Sequence, residues 1–146
     1  MSNALLRRPL SFAVIDDSAA VRRSLSVLLG ARGYSAMSFE GAEEFLESPA
    51  KSSFDFLLVD YKLDGMLGTD LLKKLRQDGV TTPAAMLLGW ETSGLERLAH
   101  EAGFVSFIRK PMLNHTLFSV INSLFGHSAS EKTRRAAERA RPEKAG

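Results

Sequence analysis

The chain has 146 residues, enough for one domain and too few for two ordinary ones. It contains no cysteine, which excludes disulfides and thiolate metal sites, and His100, His115 and His127 are too widely spaced to read as a zinc site. Six of the 19 basic and three of the 17 acidic residues lie from His127 onward, so residues 1–126 carry 13 against 14 and show no general attraction to nucleic acid.

The elements follow in chain order. After a short N-terminal extension, 1–9, the run "LSFAVI" (10–15) reads as a buried strand closed by Asp16. In "DSAAVRRSLSVLLGARG", Val21, Leu25, Leu28 and Leu29 recur at helical spacing, Arg22 and Arg23 fall on the opposite face, and Gly33 suits the C-terminal cap. "YSAMSF" (34–39) is the second strand, and "GAEEFLES" (41–48) is a short helix stopped by Pro49. "FDFLLV" (54–59) is the third strand and ends at Asp60. "GTDLLKKLRQDG" (68–79) is a helix with Leu71, Leu72 and Leu75 inward.

"PAAMLLG" (83–89) is the fourth strand, "SGLERLAHEAG" (93–103) a helix, and "FVSFI" (104–108) the fifth strand. Asn114 can cap a last helix striped by Leu117, Val120, Ile121 and Leu124. The segment 127–146 lacks large apolar residues and reads as a charged linker or disordered tail. A tail that binds nucleic acid or another partner is the minority alternative. No apolar run approaches the ~20 residues of a membrane span, and the run after Arg7 and Arg8 is too short for a signal peptide, so a cytoplasmic location is expected.

Five repeats of strand then helix imply a doubly wound parallel α/β sheet, with ligands at the C-terminal ends of its strands. At that edge the sequence puts Asp16 and Asp17 after strand one, Asp60 after strand three and Lys110 after strand five. Neighbouring strands lie ~4.8 Å apart, so the carboxylates crowd together if strands one and three are adjacent. Like charges so close resist ionising together unless a cation compensates them, and a hard divalent ion such as Mg²⁺ suits an all-oxygen donor set. Taken singly, the aspartates could instead cap a helix or form a turn.

Three stretches carry a family resemblance: "VIDDS", "LLVDYKLDGMLG" and "FIRKP". In this order the chain, over about residues 10–126, resembles a response-regulator receiver domain of bacterial two-component signalling. The resemblance implies a flavodoxin-like sheet of order 2-1-3-4-5 with five helices. It implies Asp60 as phosphoacceptor, Mg²⁺ held by Asp17 and Asp60 with Asp16 assisting and the backbone carbonyl of Lys62 as a further ligand, and Lys110 on a phosphoryl oxygen. It also implies a cis Lys110–Pro111 bond. The implied partners are a sensor histidine kinase or histidine phosphotransfer protein and a downstream protein, with a homodimer as a further arrangement. The chemistry is self-directed phosphotransfer rather than catalysis on a separate substrate.

The sequence departs from the family pattern at three points. Leu88 stands where the family has Ser or Thr at the end of strand four. "LDGMLG" replaces the usual "MP..DG", with Asp64 for Pro and Leu67 for Asp. Phe107, at the aromatic switch position of strand five, lacks a hydroxyl. Leu88 therefore supports a second reading, an atypical receiver that binds proteins with little phosphorylation-driven change. A third, a Mg²⁺-dependent phosphatase, would favour a D-x-D arrangement at its nucleophile, and a dinucleotide protein would need a Gly-rich loop after strand one. Trp90 suits either a lid over the site or plain loop packing. The expected arrangement is a single-domain regulator acting through its own surface, with a linker toward an output domain as the alternative.

Overall fold

The structure, a computed structural model of the chain, describes residues 8–89, 94–110 and 114–126. These fall into two compact units, Met1–Pro111 and Met112–Gly146. The first holds a five-stranded parallel sheet: β1 (Ser11–Ile15), β2 (Ser35–Phe39), β3 (Phe56–Asp60), β4 (Ala84–Leu88) and β5 (Ser106–Arg109), in the order β2-β1-β3-β4-β5. Its helices are α1 (Ala19–Ala31), α2 (Ala42–Leu46), α3 (Gly68–Gln77) and α4 (Glu96–Glu101). The second unit holds α5 (Asn114–Ile121), followed by a π-helical turn, Asn122–Gly126.

The central strands are buried on both faces, as expected where helices cover a parallel sheet. Every residue of β3 and β4 is buried. Strand alternation sends Ala13, Ile15, Leu57, Val59, Ala84, Met86 and Leu88 into one apolar cluster with Phe45 of α2, Leu71, Leu72 and Leu75 of α3, and Ala99 of α4. At its margin the Phe39 and Phe45 rings meet edge to face, 4.9 Å apart, joining the end of β2 to α2. The alternate residues, including Phe12, Val14, Phe56 and Leu58, are equally buried. Ser18 caps α1, its hydroxyl accepting from the Val21 N–H at 3.3 Å. Gly33 closes the same helix, its N–H reaching the Gly30 carbonyl at 3.0 Å.

Several boundaries differ from the sequence reading for identifiable reasons. Strand β3 starts at Phe56 because Asp55 is a clasp: its carboxylate accepts from the Ser11 N–H at 2.8 Å and from both guanidinium nitrogens of Arg8. Strand β5 starts at Ser106 because the Phe104 N–H is spent on the Ala99 carbonyl, closing α4. Residues 62–67, to which the sequence pattern assigns no element, form a short antiparallel ladder, Lys62–Leu63 against Met66–Leu67, around Asp64–Gly65. Gly65 has φ +83° while Asp64 does not have positive φ, the pattern of a turn that asks for glycine at its second central position. Arg22 is not on a solvent face: it folds back and donates to the Asp16 carbonyl at 2.8 Å. Leu124 is exposed, unlike Leu117 and Ile121, because the wider π turn rotates it off the α5 stripe.

Leu58→Ala should lower stability by about 2–5 kcal/mol, since Leu58 is fully buried in the central strand. Val27→Ala, at a position 65% exposed, should change it by less than about 0.5 kcal/mol. Urea denaturation of both variants checks the contrast.

Candidate phosphoacceptor and metal site

Sheet register builds the site. Ile15 pairs with Val59, so the next residues, Asp16 and Asp60, leave adjacent strands side by side. Asp17 follows on the exposed side of the same turn. Ligand oxygens of Asp16, Asp17 and Asp60 lie within 4.8 Å of one another, so the three predicted carboxylates do meet. Asp16 and Asp60 are buried.

The fourth predicted residue, Lys110, arrives from the end of β5. Its N–H donates to the Leu88 carbonyl at 2.7 Å, continuing the β4–β5 ladder. The ammonium then stands 2.9 Å from Asp16 Oδ2 and donates to Asp60 Oδ1 at 3.2 Å. Burial acts to lower the Lys110 pKa, and the contacts and charges of Asp16 and Asp60 outweigh it, so the ammonium form is strengthened. The Asp60 carboxyl is pushed up to about 6, chiefly by burial and next by the charge of Asp16, with Lys110 opposing both.

The residue set suits a hard cation. Asp16 Oδ1 is engaged in a local turn, accepting from the Ser18 N–H at 2.9 Å, while the cap of α1 is Ser18 and not an aspartate. Asp16 Oδ2 is buried without an aligned hydrogen bond; the ammonium near it makes an ion pair only. That unfilled acceptor, flanked by two further carboxylates, matches the oxygen-only preference of Mg²⁺. Lys62 is exposed. Because the Gly68 N–H donates to the Tyr61 carbonyl, Lys62 and Leu67 form a non-hydrogen-bonded pair, which leaves the Lys62 carbonyl outside the ladder. Asp17 opens onto a hollow of about 580 Å³, also lined by Glu40, Glu43, Glu44 and Asp64, whose summed charge attracts cations.

The two switch positions sit differently. Leu88 is fully buried in the apolar cluster and offers the site only its backbone. Phe107 is exposed on β5. Trp90 and the Lys110–Pro111 bond fall at least partly outside the described residues, as does the 127–146 tail.

The response regulator receiver domain family matches residues 12–122, most of the chain. The chain belongs to the response regulator receiver family. Transcriptional regulatory protein FixJ of Bradyrhizobium diazoefficiens is 33% identical over 110 residues, which are 75% of this chain and 54% of that protein. Sensory/regulatory protein RpfC of Xanthomonas campestris pv. campestris is 33% identical over 132 residues, 84% of this chain and 18% of that protein. The chain thus spans about half of one curated relative and less than a fifth of the other. The structure of chemotaxis protein CheY4 of Vibrio cholerae superposes with a TM-score of 0.72 at 25% identity, covering 80% of this chain and 98% of that one.

Receiver domains are signalling domains of two-component systems that work with histidine kinases and phosphotransfer proteins, and they generally bind Mg²⁺ at an acidic pocket. Sequence reasoning found the four charged residues of this receiver's pocket but missed two supports. Arg22, which braces the Asp16 carbonyl, was hidden by its place beside Arg23 on a polar face. Arg109, which bridges Glu96 of α4 and donates to the Gly89 carbonyl at 3.4 Å, could have been suspected from its position beside Lys110.

The raised Asp60 pKa sets a pH dependence. A carboxyl that titrates near 6 in the fold and at its ordinary 3.8 when unfolded stabilises the protein fully below 3.8, and that contribution is lost as pH rises through 6. Asp60→Asn should therefore raise metal-free stability by about 1–3 kcal/mol at pH 7.5, with the gain vanishing between pH 6 and 4. Urea midpoints of both proteins across that range test it; a pH-independent difference contradicts it.

Proposed function

We propose that this receiver accepts a phosphoryl group on Asp60 in a Mg²⁺-dependent reaction, from a sensor histidine kinase or histidine phosphotransfer protein. We place it in the cytoplasm and assign residues 10–126 to the receiver domain, with 1–9 as an extension and 127–146 as a charged tail. The observation that carries the reading is the convergence on one buried Asp60 carboxylate of two further aspartates within 4.8 Å and the Lys110 ammonium at 3.2 Å.

A carboxylate oxygen of Asp60 attacks the phosphorus of a donor phosphohistidine. The new P–O bond forms as the P–N bond breaks, and the electron pair of that bond stays with the imidazole. Asp16, Asp17, Asp60 and the Lys62 backbone carbonyl would hold the metal, with Asp16 assisting. Bound Mg²⁺ supplies charge neutralisation for the phosphoryl oxygens. Lys110 would exchange its present contact with Asp60 for a phosphoryl oxygen, acting as a mobile point charge on a flexible stem. With its pKa near 6, Asp60 is mostly ionised, and so nucleophilic, at pH 7.5.

Leu88 favours the second reading, an atypical receiver acting as a protein-binding module. A fully buried leucine brings no donor to the phosphoryl group, and a hydrogen bond to a charged group is worth about 1.5–3 kcal/mol. The downstream partner is then a protein bound at the receiver's surface, or a second copy of the chain.

Acetyl phosphate with Mg²⁺ should add one phosphoryl group per chain by intact mass, and Asp60→Asn should add none. An unmodified wild type, or a shift that survives in Asp60→Asn, refutes the phosphoacceptor reading. Beryllium fluoride with Mg²⁺ should move the β5 and α4 amide resonances little in the wild type and more in Leu88→Thr, because a ligand shifts populations only through differential contact. A large wild-type response reaching Phe107 removes the case for the atypical reading.

A further inference from the structure

We propose that Gly68 is a positioning residue for the Asp60 carboxylate, acting through the side chain it lacks; the proposal rests on the phosphoacceptor reading above. Gly68 opens α3 directly beneath the end of β3, after Leu67, which supplies no side-chain cap. A β-carbon at position 68 would overlap the Asp60 carbonyl oxygen and stand 3.1 Å from Val59 Cγ1. The obstacle is main chain, which cannot rotate aside as a flexible side chain can.

The residue that follows Asp60 is held from two sides. The Tyr61 N–H donates to the Leu87 carbonyl at 3.0 Å, and the Tyr61 carbonyl accepts from the Gly68 N–H at 2.6 Å. A methyl group at 68 must therefore push Asp60 within its sheet register or break the bond that seats α3. Either change moves a carboxylate whose oxygens must stay in reach of Asp16 and Asp17, and misplacement by about 1 Å can cost a reacting group ~100-fold in rate. Gly68 does not have positive φ, so alanine meets no backbone penalty of its own there. Gly30, by contrast, has nothing within 4 Å of the same atom.

The test uses the full chain as wild type, Gly68→Ala, Gly68→Ala with Val59→Ala, and Gly30→Ala. Each is titrated with Mg²⁺ alone by amide chemical shift, then treated with acetyl phosphate at saturating Mg²⁺, with urea midpoints measured in parallel. Gly68→Ala should shift the metal-free Asp60 and Tyr61 amides, weaken Mg²⁺ binding at least about tenfold and slow phosphorylation at saturating Mg²⁺ by a similar factor. Val59→Ala should not rescue it, because the blocking atom is a carbonyl oxygen, and Gly30→Ala should match the wild type. A folded Gly68→Ala with lowered urea midpoint but wild-type Mg²⁺ affinity and rate overturns the proposal. Rescue by Val59→Ala overturns it, as does failure of both Gly68 variants to fold, since either traces the effect to packing. A wild type that neither binds Mg²⁺ nor gains a phosphoryl group removes the functional reading instead, and this proposal falls with it.

Discussion

Repulsion among three carboxylates confined to one sheet edge is the constraint around which this structure is arranged. For the buried pair Asp16 and Asp60, two unit charges about 4.8 Å apart at the effective dielectric near a protein surface repel by about 3–4 kcal/mol, a large fraction of a domain's stability, while exposed Asp17 is screened by water. Nothing in an ordinary strand end requires that cost. The fold carries it because β1 and β3 are neighbours in a register fixed by two buried faces, so Asp16 and Asp60 cannot drift apart. A single ammonium from β5 answers two of the three charges.

This balance explains why the site is both strained and ordered. Lys110 is held by its own backbone bond to β4, Asp16 by Arg22 and by the Ser18 N–H, and Asp60 by the sheet on one side and the start of α3 on the other. Lys110, Asp16 and Asp60 are therefore oriented by the fold itself, the preorganisation under which fixed charges act most effectively. Membership of the receiver family accounts for the arrangement as a whole. Leu88 marks where this chain departs from the family pattern, a fully buried apolar side chain where the family has Ser or Thr.

The strand-helix alternation, the sheet and the four charged residues were legible in sequence because each depends on local pattern. An apolar run of five or six residues ending in Asp is a strand reaching the edge of a sheet, whatever its neighbours do. What was not legible depends on distances between segments. Gly68 reads as a helix-opening glycine until the Asp60 carbonyl is found against it. Arg22 reads as the polar half of an amphipathic helix, since its fold-back needs the end of β1 beside it. The delayed start of β5 follows from a hydrogen bond to Ala99 that no propensity encodes. The 62–67 ladder did carry a readable signal, the Asp64–Gly65 dipeptide between Leu63 and Met66.

The pairing of Arg109 with Glu96 gives β5 the character of a lever. Successive residues along an extended chain project to opposite sides, so adjacent Arg109 and Lys110 deliver two positive charges to separate destinations. One goes to the first residue of α4 and the Gly89 carbonyl, the other to the aspartates. A single peptide bond joins them, so the short strand end that delivers the lysine to the acid cluster is the same one that is tied to α4.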